Sequence, residues 1–568
     1  MFLLYALLCL TPSQTVGGES ETLHQWFGEN NYDYFGSAVS SAGDLNSDGF
    51  EDLLVGVPLF EPGSLYNAGT AYAYSGRDGS LLYQWNGEER ANRFGNAVAA
   101  AGDVNADGFD DVVIGAYMAS PAGIAIAGTV YVYSGADGTL LHQWPGRAAD
   151  DYFGKSVAGC GDLNQDGFDD ILVGAHHALD RSNNRRKGAA YIFSGADGSL
   201  LNQWYGQTVN DYFGFSVAGV KNIDGDHIPD LIVGASHADP GGLSKVGSVY
   251  AYSGATGSLI YQWDGVAEND FLGSDVASAG DVNGDGLTDI LVGAYGVDQG
   301  SQESAGAAFV YSGADGSLIY QWAGKETDDV FGWSVAGVGD VSGDGLDDIL
   351  IGAPKARLGP LYEVGCASLY SGADGSLIHQ WFGEFGSPIG AWGDYLGSSV
   401  AGAGDVDGDG RPDVIVGADH AGLVGAGYYG SATVYSFHSY LFPNRATISA
   451  ANGGSVQLQL DFRNAAAFYN YKILVSESGI GTTWYGTDIP LTLDNMCGNS
   501  FFGIYPIQSY TDLHGTLDAS GFAVASITIP PGMPTALIGR TYRLAAIANP
   551  AGQLPQYSSV SIPLSFIP

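Results

Sequence analysis

The sequence predicts an all-β fold, a seven-bladed β-propeller followed by a β-sandwich domain, and three observations lead to this prediction. A unit of about 59 residues recurs seven times, and the acidic segments within the units begin 59, 59, 60, 59, 59 and 65 residues apart. The units hold four short apolar runs of strand length, except the last, which holds three, and four is the strand number of a propeller blade. A second composition, without the repeat, begins after residue 440.

The third unit shows the order of the elements within one blade. Residues 153–160 alternate small and apolar side chains and predict the inner strand, which the acidic segment follows. The apolar run 170–175 predicts a buried second strand. Residues 188–195 and 199–204, separated by an Ala-Asp-Gly turn, predict the third and fourth strands.

The two ends of the repeat region predict how the ring closes. The last unit ends at residues 431–437 without a fourth strand, whereas residues 21–26 have the pattern of a fourth strand but precede any inner strand. We therefore expect residues 21–26 to complete blade seven, which removes the open edge of the ring. Each fourth strand carries a Trp that we expect to pack between blades rather than to bind sugar: Trp26, Trp85, Trp144, Trp204, Trp263, Trp322 and Trp381.

The seven acidic segments predict calcium sites. Each has oxygen-bearing side chains at its first, third, fifth and ninth positions and, in six copies, Gly at the sixth. Calcium takes six to eight oxygen ligands, and Gly permits the sharp bend that brings them together. The alternative is a polar turn without metal, since Asp and Asn form Asx-turns. Seven copies with Asp always at the ninth position favour the metal.

The predicted ligands are four per blade, in chain order from blade one to blade seven: Asp44, Asn46, Asp48, Asp52; Asp103, Asn105, Asp107, Asp111; Asp162, Asn164, Asp166, Asp170; Asn222, Asp224, Asp226, Asp230; Asp281, Asn283, Asp285, Asp289; Asp340, Ser342, Asp344, Asp348; Asp405, Asp407, Asp409, Asp413. We expect up to seven Ca²⁺ ions. Blade seven, with four acids, should bind most tightly. Blade four, with Asn222 first and His227 in place of Gly, should bind weakly or not at all.

The net charge and the composition limit the classes of binding partner that the sequence predicts. The net charge is −42, and the ligand positions hold 22 of the Asp residues, so seven divalent ions would leave −28. A surface this negative repels phosphate backbones and anionic lipids, so we expect neither nucleic acid nor an anionic membrane as a partner. No stretch after the N-terminal run approaches 18 apolar residues, so we do not expect membrane insertion. Residues 2–10 form a short apolar run, which predicts a signal peptide over residues 1–18 and a secreted or cell-surface protein.

Two domains are expected after the signal. The propeller should span residues 19–440, and residues 441–568 should form the β-sandwich, with strands at 455–462, 471–475, 523–529 and 542–547. Cys160 and Cys366 fall in predicted strands and should be buried free thiols, and Cys497 is unpaired.

The repeats resemble FG-GAP repeats, which build the propeller of integrin α-subunits. After the acidic segments the sequence is Val-Gly-Ala in four blades, Ile-Gly-Ala in blades two and six and Val-Gly-Val in blade one, and only Pro58 and Pro354 keep a following Pro. Phe-Gly precedes the acidic segments except in blades five and seven, where Leu272 and Leu396 replace Phe. The Phe residues are Phe35, Phe94, Phe153, Phe213 and Phe331. The resemblance covers residues 21–437. It implies that the acidic loops bind calcium on the lower face of the ring and that partners dock on the upper face.

The upper face is therefore the expected binding surface. The longest loop there, residues 381–394, carries Trp392. The starts of other upper loops carry aromatic and imidazole side chains that we expect near one another: His176, His177, His237, His420, Tyr117, Tyr295 and Tyr428. Incidental aromatics on solvated loops are the alternative.

The predicted function is a binding or adhesion module for an extracellular protein or glycan. A lectin is the first alternative, and a polysaccharide lyase or hydrolase is a less favoured one. The sequence contains no G-x-S-x-G or H-E-x-x-H motif, and metal ligation accounts for the paired Asp residues, so we do not expect an enzyme.

Overall fold

A computed structural model describes residues 18–359, 361–384, 393–422 and 428–439 and, beyond residue 440, a set of strands. The chain forms two compact units, and the larger comprises residues 20–375 and 382–437. The predicted signal peptide, apart from Gly18, and the predicted roles of Trp392 and Cys497 fall outside the described residues. Among the described residues, no helix has the length and apolarity needed to cross a bilayer.

Seven four-stranded sheets form the blades of a propeller, as predicted. Blades one to three comprise Ala38–Gly43, Asp52–Val57, Thr70–Tyr74 and Leu81–Asn86; Ala97–Gly102, Asp111–Ala116, Thr129–Tyr133 and Leu140–Pro145; Ser156–Gly159, Ile171–Ala175, Ala189–Phe193 and Leu200–Tyr205. Blades four and five comprise Phe213–Val220, Asp230–Ala235, Ser248–Tyr252 and Leu259–Asp264; Asp275–Gly280, Asp289–Ala294, Ala307–Tyr311 and Leu318–Ala323.

Blade six comprises Ser334–Gly339, Asp348–Ala353, Cys366–Tyr370 and Leu377–Phe382. Three of the described loops between second and third strands contain short elements. One is a hairpin of Leu179–Asp180 with Arg185–Arg186, and two are 3₁₀ turns, at Pro121–Gly123 and Pro240–Gly242. Cys160 and Cys366 are buried and form no disulfide among the described residues, and Cys160 lies one residue beyond its strand.

Blade seven is completed by the N-terminal strand, which confirms the predicted closure. Its sheet contains Leu396–Gly404, Asp413–Ala418 and Ser431–Ser439, with Gly18–Phe27 as the outer strand beside Ser431–Ser439. The amide of Gly28 donates to the carbonyl of Gly430 at 3.0 Å. Pairing the first strand with the last repeat closes the ring without an open edge.

The hydrophobic core lies between blades rather than within them. One cluster contains Leu54 and Ala73 of blade one with Ile114 and Tyr131 of blade two, and the other clusters likewise join neighbouring blades. The second strand is buried along its whole length in each blade, which explains its continuous apolar sequence. Each blade therefore depends on its neighbours for stability.

The Trp residues of the fourth strands join one blade to the next, as predicted. Trp85 stacks on Tyr133 of the following blade at 5.2 Å between ring centroids, and its Nε1 donates to the carbonyl of Gly138 at 3.0 Å. The same pair of contacts recurs for five further Trp residues: Trp26, Trp144, Trp204, Trp263 and Trp322. These side chains are occupied in packing.

The strand order places the loops on two opposite faces. Loops from first to second and from third to fourth strand share one end of the blades, which we call the lower face. Loops from second to third strand and from blade to blade share the other end, the upper face. In blades one to five every neighbouring pair of strands is antiparallel, so this alternation follows directly.

Beyond residue 440 the strands form two sheets and a hairpin. The first sheet contains Leu441–Pro443, Gly454–Asp461, Phe522–Ile529 and Tyr510–Thr511. The second contains Thr447–Ser449, Ile562–Ile567, Thr541–Asn549, Asn470–Ser476, His514–Thr516 and Tyr557–Ser558. The hairpin joins Thr482–Trp484 to Thr487–Ile489. All four predicted strands are present, and the sandwich packing stays a prediction.

Candidate metal centres and the opposite face

The acidic loops lie on the lower face, and their side-chain oxygens turn inward. In blade two, Asp103 accepts from the amide of Asp107 at 3.1 Å and from that of Gly108 at 2.9 Å. Asn105 also accepts from the amide of Asp107, at 2.8 Å. These Asx-turn contacts wrap the backbone around the first-position carboxylate. The bond from the sixth-position amide to the first-position carboxylate recurs in six loops.

The ninth-position Asp is the anchor of each loop. Asp111 is fully buried and accepts from the amides of Val104 and Gly135 at 2.9 and 3.0 Å, so it joins the acidic loop to the turn between third and fourth strands. Burial raises its pKa to about 7, and the carboxylates of Asp107 and Asp103 add to the rise. The same cause raises the pKa of Asp52 and Asp413 to about 7 and that of Asp170 and Asp289 to about 6.

The sixth position requires a left-handed backbone in every loop. Its φ is +87° at Gly49 and +88° at Gly108, and a Cβ at these glycines would meet no atom within 4 Å, so conformation rather than space selects Gly. In blade four His227 adopts φ +70° at this position. The fourth position is also left-handed, with φ +58° at Ala106 and +77° at Gly284, a requirement that the sequence pattern did not reveal.

Two loops bring three carboxylates into one cluster each. In blade seven, Asp405, Asp407 and Asp413 place one oxygen each within 4.8 Å of the others. In blade four, Asp224, Asp226 and Asp230 do the same, despite His227. These are the two loops with Asp at the third position. Weak calcium occupancy of the blade-four loop stays a prediction, although the three carboxylates of this loop converge as those of blade seven do.

The eighth position links neighbouring loops, which sequence reasoning missed. The carboxylate of Asp169 in blade three accepts from the amide of Asp103 in blade two at 2.9 Å. Asp347 accepts in the same way from the amide of Asp281, at 2.8 Å. The sequence contained a signal for this link, because four of the seven copies have an acidic residue at the eighth position: Glu51, Asp110, Asp169 and Asp347. These hydrogen bonds join the acidic loops of blades two and three and those of blades five and six on the lower face.

The residues present fit calcium. All the predicted side-chain donors are oxygens, the preferred ligands of this hard cation. Burial and neighbouring carboxylates raise the pKa of the ninth-position Asp residues, and a divalent cation bound nearby would favour their ionised form. If bound, the ion would be held by the four side chains predicted in each loop and would crosslink the first and second strands.

The upper face carries a row of ring side chains that crosses five blades, from Tyr117 in blade two to Trp333 in blade six. Tyr152 contacts His176 at 5.1 Å, and Tyr212 contacts His237 at 4.1 Å between ring centroids. Phe271 and Tyr295 stack at 4.9 Å, and Trp333 lies 5.0 Å from Tyr295. We call the row the upper belt: Tyr117, Tyr152, His176, His177, Tyr212, Phe215, His237, Phe271, Tyr295 and Trp333.

The expected proximity of the upper-loop residues holds in two groups. His176, His177, His237, Tyr117 and Tyr295 lie in the upper belt. A separate group, at the junction of blades seven and one, has His420 at its centre. Its imidazole contacts the rings of Tyr34, Tyr395 and Tyr428 at centroid distances between 4.3 and 5.7 Å. A carboxylate oxygen of Asp419 lies 2.7 Å from its Nδ1.

Comparison with known protein families finds seven matches to the FG-GAP repeat. The matches cover residues 35–74, 94–133, 153–193, 213–252, 272–311, 331–364 and 396–435. Each match begins at the Phe-Gly or Leu-Gly pair and runs through the acidic loop toward the third strand, so it corresponds to one blade.

The chain is also similar to integrin α chains. It is 36% identical over 227 residues to integrin alpha-5 of Xenopus laevis, a match that covers 36% of this chain and 20% of that protein. It is 32% identical over 236 residues to integrin alpha-V of Gallus gallus, covering 39% and 22%, and 34% identical over 221 residues to integrin alpha-8 of Mus musculus, covering 36% and 20%. The matched region is about a fifth of each relative.

Proposed function

Because the chain belongs to the FG-GAP repeat proteins and is related to the integrin α chains, we propose that it is a secreted, calcium-binding propeller that binds an extracellular protein or glycan through its upper face. This proposal rests on a structural difference between the lower and the upper face of the propeller. The lower loops are tied to one another and to the blades, whereas the upper belt consists of partly exposed rings outside the cores between blades.

The upper belt has the composition of a binding surface. Aromatic rings offer large contact areas with little loss of side-chain entropy, and they are enriched where proteins recognise partners. Trp333 is 45% exposed, although the Trp residues of the fourth strands are mostly buried. His176 and His237 are neutral at pH 7, since burial lowers their pKa to about 3 and about 4. The belt is therefore a largely uncharged surface on an acidic molecule.

A protein partner and a glycan predict different geometries. Lectin sites on a repeat protein should recur between blades, yet the recurring Trp residues are engaged with the next blade. The belt runs without a break across five blades, which favours one contiguous protein-binding patch, although its pair Tyr212 and His237 has a counterpart in Tyr395 and His420 of blade seven. The glycan reading rests on the stacked rings Phe271, Tyr295 and Trp333, whose faces suit a sugar ring.

A binding screen in calcium and in chelator tests the proposal. We expect the wild-type protein to retain a partner, from an array of glycans or of extracellular proteins, in millimolar calcium. Trp333→Ala should weaken that binding by at least about tenfold, because exposed aromatic anchors dominate interfaces. Leu140→Ala is the matched control, since Leu140 is 48% exposed on the fourth strand of blade two and lies off the belt. Equal loss in both variants would contradict an upper-face site.

A further inference from the structure

A cavity of about 360 Å³ lies on the axis of the ring, where each inner strand contributes consecutive residues. Going inward from the upper face, the third lining residue is Val in every blade, and the second is Ala or Ser except for Asp275 in blade five. The first, at the mouth, differs most between blades and includes Lys155, Phe215 and Trp333. Among the described lining residues, Lys155 is the only cation.

Among the described residues, no carboxylate forms a close ion pair with the ammonium of Lys155, and Asp275 is the anionic group that acts on it across the cavity. Its Nζ lies over the faces of Tyr117 and Phe215, at 5.3 and 5.5 Å from the ring centroids. By contrast, Lys187 on the same blade forms an ion pair with Asp180 at 3.2 Å. Burial lowers the pKa of Lys155, and the negative charge of Asp275 only partly opposes this shift.

Asp275, the anion across the cavity, is already engaged. Its Oδ1 accepts from the hydroxyl of Ser216 at 2.9 Å, and its Oδ2 accepts from the amide of Val335 in the next blade at 2.9 Å. Ser334 and Ser399, at the same position in other blades, accept from the next blade's Val amide in the same way. Asp275 thus occupies a structural position that Ser fills elsewhere, and the charge of Lys155 stays available to a ligand.

Two further polar atoms near the mouth lack partners. The hydroxyl of Ser37, which lines the cavity, and Nδ1 of His176 are buried without a hydrogen bond. His176 adjoins Phe215 at 5.5 Å between centroids, and Lys155 contributes to lowering its pKa. Buried polar atoms are nearly always paired in folded proteins, so the unpaired Nδ1 of His176 near Lys155 and the unpaired hydroxyl of Ser37 elsewhere on the lining favour a ligand in this cavity. The opposite wall, Tyr295 and Trp333, is aromatic.

We propose that the upper mouth of the central cavity binds an organic carboxylate, with Lys155 as its ionic partner and Tyr295 and Trp333 against its body. The aromatic wall favours a carboxylate on a flat or cyclic body, such as an aryl acid or a hexuronate, over a small inorganic anion. The cavity is large enough for one such ring. This site shares Tyr295 and Trp333 with the proposed upper-face surface and adds to it a pocket for a carboxylate group. It does not rest on that function, because a free small carboxylate can bind without a macromolecular partner.

Calorimetric titration of the full chain in millimolar calcium tests the site. The probes are benzoate and glucuronate, with the neutral benzamide and glucose as matched controls. We expect saturable binding of the acids only, weakened at least about tenfold by Lys155→Met, because hydrogen bonds to charged groups are the strong ones. Lys245→Met is the control variant, since Lys245 lies over Phe271 at 5.8 Å but does not line the cavity. Equal binding of benzamide, or unchanged affinity in Lys155→Met, overturns the proposal.

A measurement on the wild-type protein keeps the test independent of variant folding. Acetylation of lysines by N-acetylimidazole, followed by peptide mass spectrometry, reports the accessibility of Lys155 and Lys245 in one sample. Saturating benzoate or glucuronate should protect Lys155 several-fold and leave Lys245 unchanged. Stronger protection by glucuronate assigns the carboxylate to an acidic sugar, and stronger protection by benzoate assigns it to an aryl acid. Equal acetylation of Lys155 with and without both acids overturns the proposal.

Discussion

The left-handed positions of the acidic loops are occupied by residues of very different suitability. The sixth position is Gly in six blades, and the fourth is Ser47, Ala106 or Gln165 in blades one to three but Gly in the others. A non-Gly residue in this region costs on the order of 1 kcal/mol. The seven loops therefore share one backbone conformation but differ in its conformational free energy. His227, at the sixth position of blade four, is the residue there that is least suited to a left-handed backbone.

Replacing His227 by Gly should relieve this cost. We expect His227→Gly to stabilise the protein by about 0.5 to 1 kcal/mol, the strain relieved less the entropy that Gly adds to the unfolded chain. It should also strengthen the response of blade four to calcium. Denaturant unfolding with and without calcium measures both effects. Gly108→His places the same strain in blade two and should destabilise, so a neutral result in both variants would contradict the conformational account.

Asp275 gives the molecule a predicted pH dependence. Burial raises its folded-state pKa from 3.8 to about 6, while Ser216, Ser334 and the amides of Val276 and Val335 oppose the shift. Its carboxyl is thus protonated in the folded state and ionised in the unfolded state between about pH 4 and 6. Stability contributed by this group is present below pH 4 and is lost as the pH rises through 6.

The variant Asp275→Ser isolates this effect, because Ser stands at the same position in blades four, six and seven and preserves the link between blades. The stability of the wild type relative to Asp275→Ser should fall by at most about 3 kcal/mol between pH 4 and 6.5 and then stay level. Urea unfolding across this range measures the difference. A variant at the exposed Glu268 should track the wild type, and a constant difference for Asp275→Ser would refute the assignment.

At the scale of strands and loops, the repeat period predicted what each blade shares, and it missed what joins one blade to the next. The four strands, the closing strand at residues 21–26 and the packing role of the Trp residues followed from pattern. The link from Asp169 to Asp103 and the assembly of the upper belt did not, because they depend on side chains about one repeat apart that meet only in the ring. Trp392 was expected at a binding patch, and it lies outside the described residues.

The hydrogen bond from Trp85 to Gly138 should contribute measurably to the cohesion of blades one and two. Trp85→Phe keeps an aromatic ring against Tyr133 but leaves the carbonyl of Gly138 without its donor. We expect a loss of about 1 to 3 kcal/mol from the unpaired carbonyl and the smaller ring. Trp333→Phe is the control at a 45% exposed position and should change stability by less than about 0.5 kcal/mol. Equal losses would show that the bond between blades is not the cause.

For the whole molecule, calcium should act as a distributed stabiliser. A ligand that binds only the folded state adds about 1 to 3 kcal/mol per site at about 10 mM, for dissociation constants of about 10⁻³ to 10⁻⁴ M. We expect the melting temperature to rise with calcium and to fall in chelator. Asp407→Asn, in the converging acidic cluster of blade seven, should reduce that rise, whereas Glu268→Gln should not. An identical melting temperature in calcium and chelator would argue against occupied loops.

Closure of the ring depends on one strand that is distant in sequence from the blade it completes. The N-terminal strand pairs with Ser431–Ser439, and Leu23 and Trp26 pack against the core between blades seven and one. Deleting residues 21–27 should therefore expose a strand edge and the adjoining core, lower the melting temperature and promote association through the open edge. Calorimetry and sedimentation measure the two effects.

A synthetic peptide of residues 18–27 offers a matched rescue, since an added strand can pair with an exposed edge of a sheet. The peptide should restore the melting temperature of the deletion variant in a concentration-dependent manner and leave the intact protein unchanged, because its edge is already paired. A scrambled peptide of the same composition should restore nothing, since the alternation that places Leu23 and Trp26 against the core is lost. An unchanged melting temperature after the deletion would mean that the ring is held by its lower-face loops and Trp contacts alone.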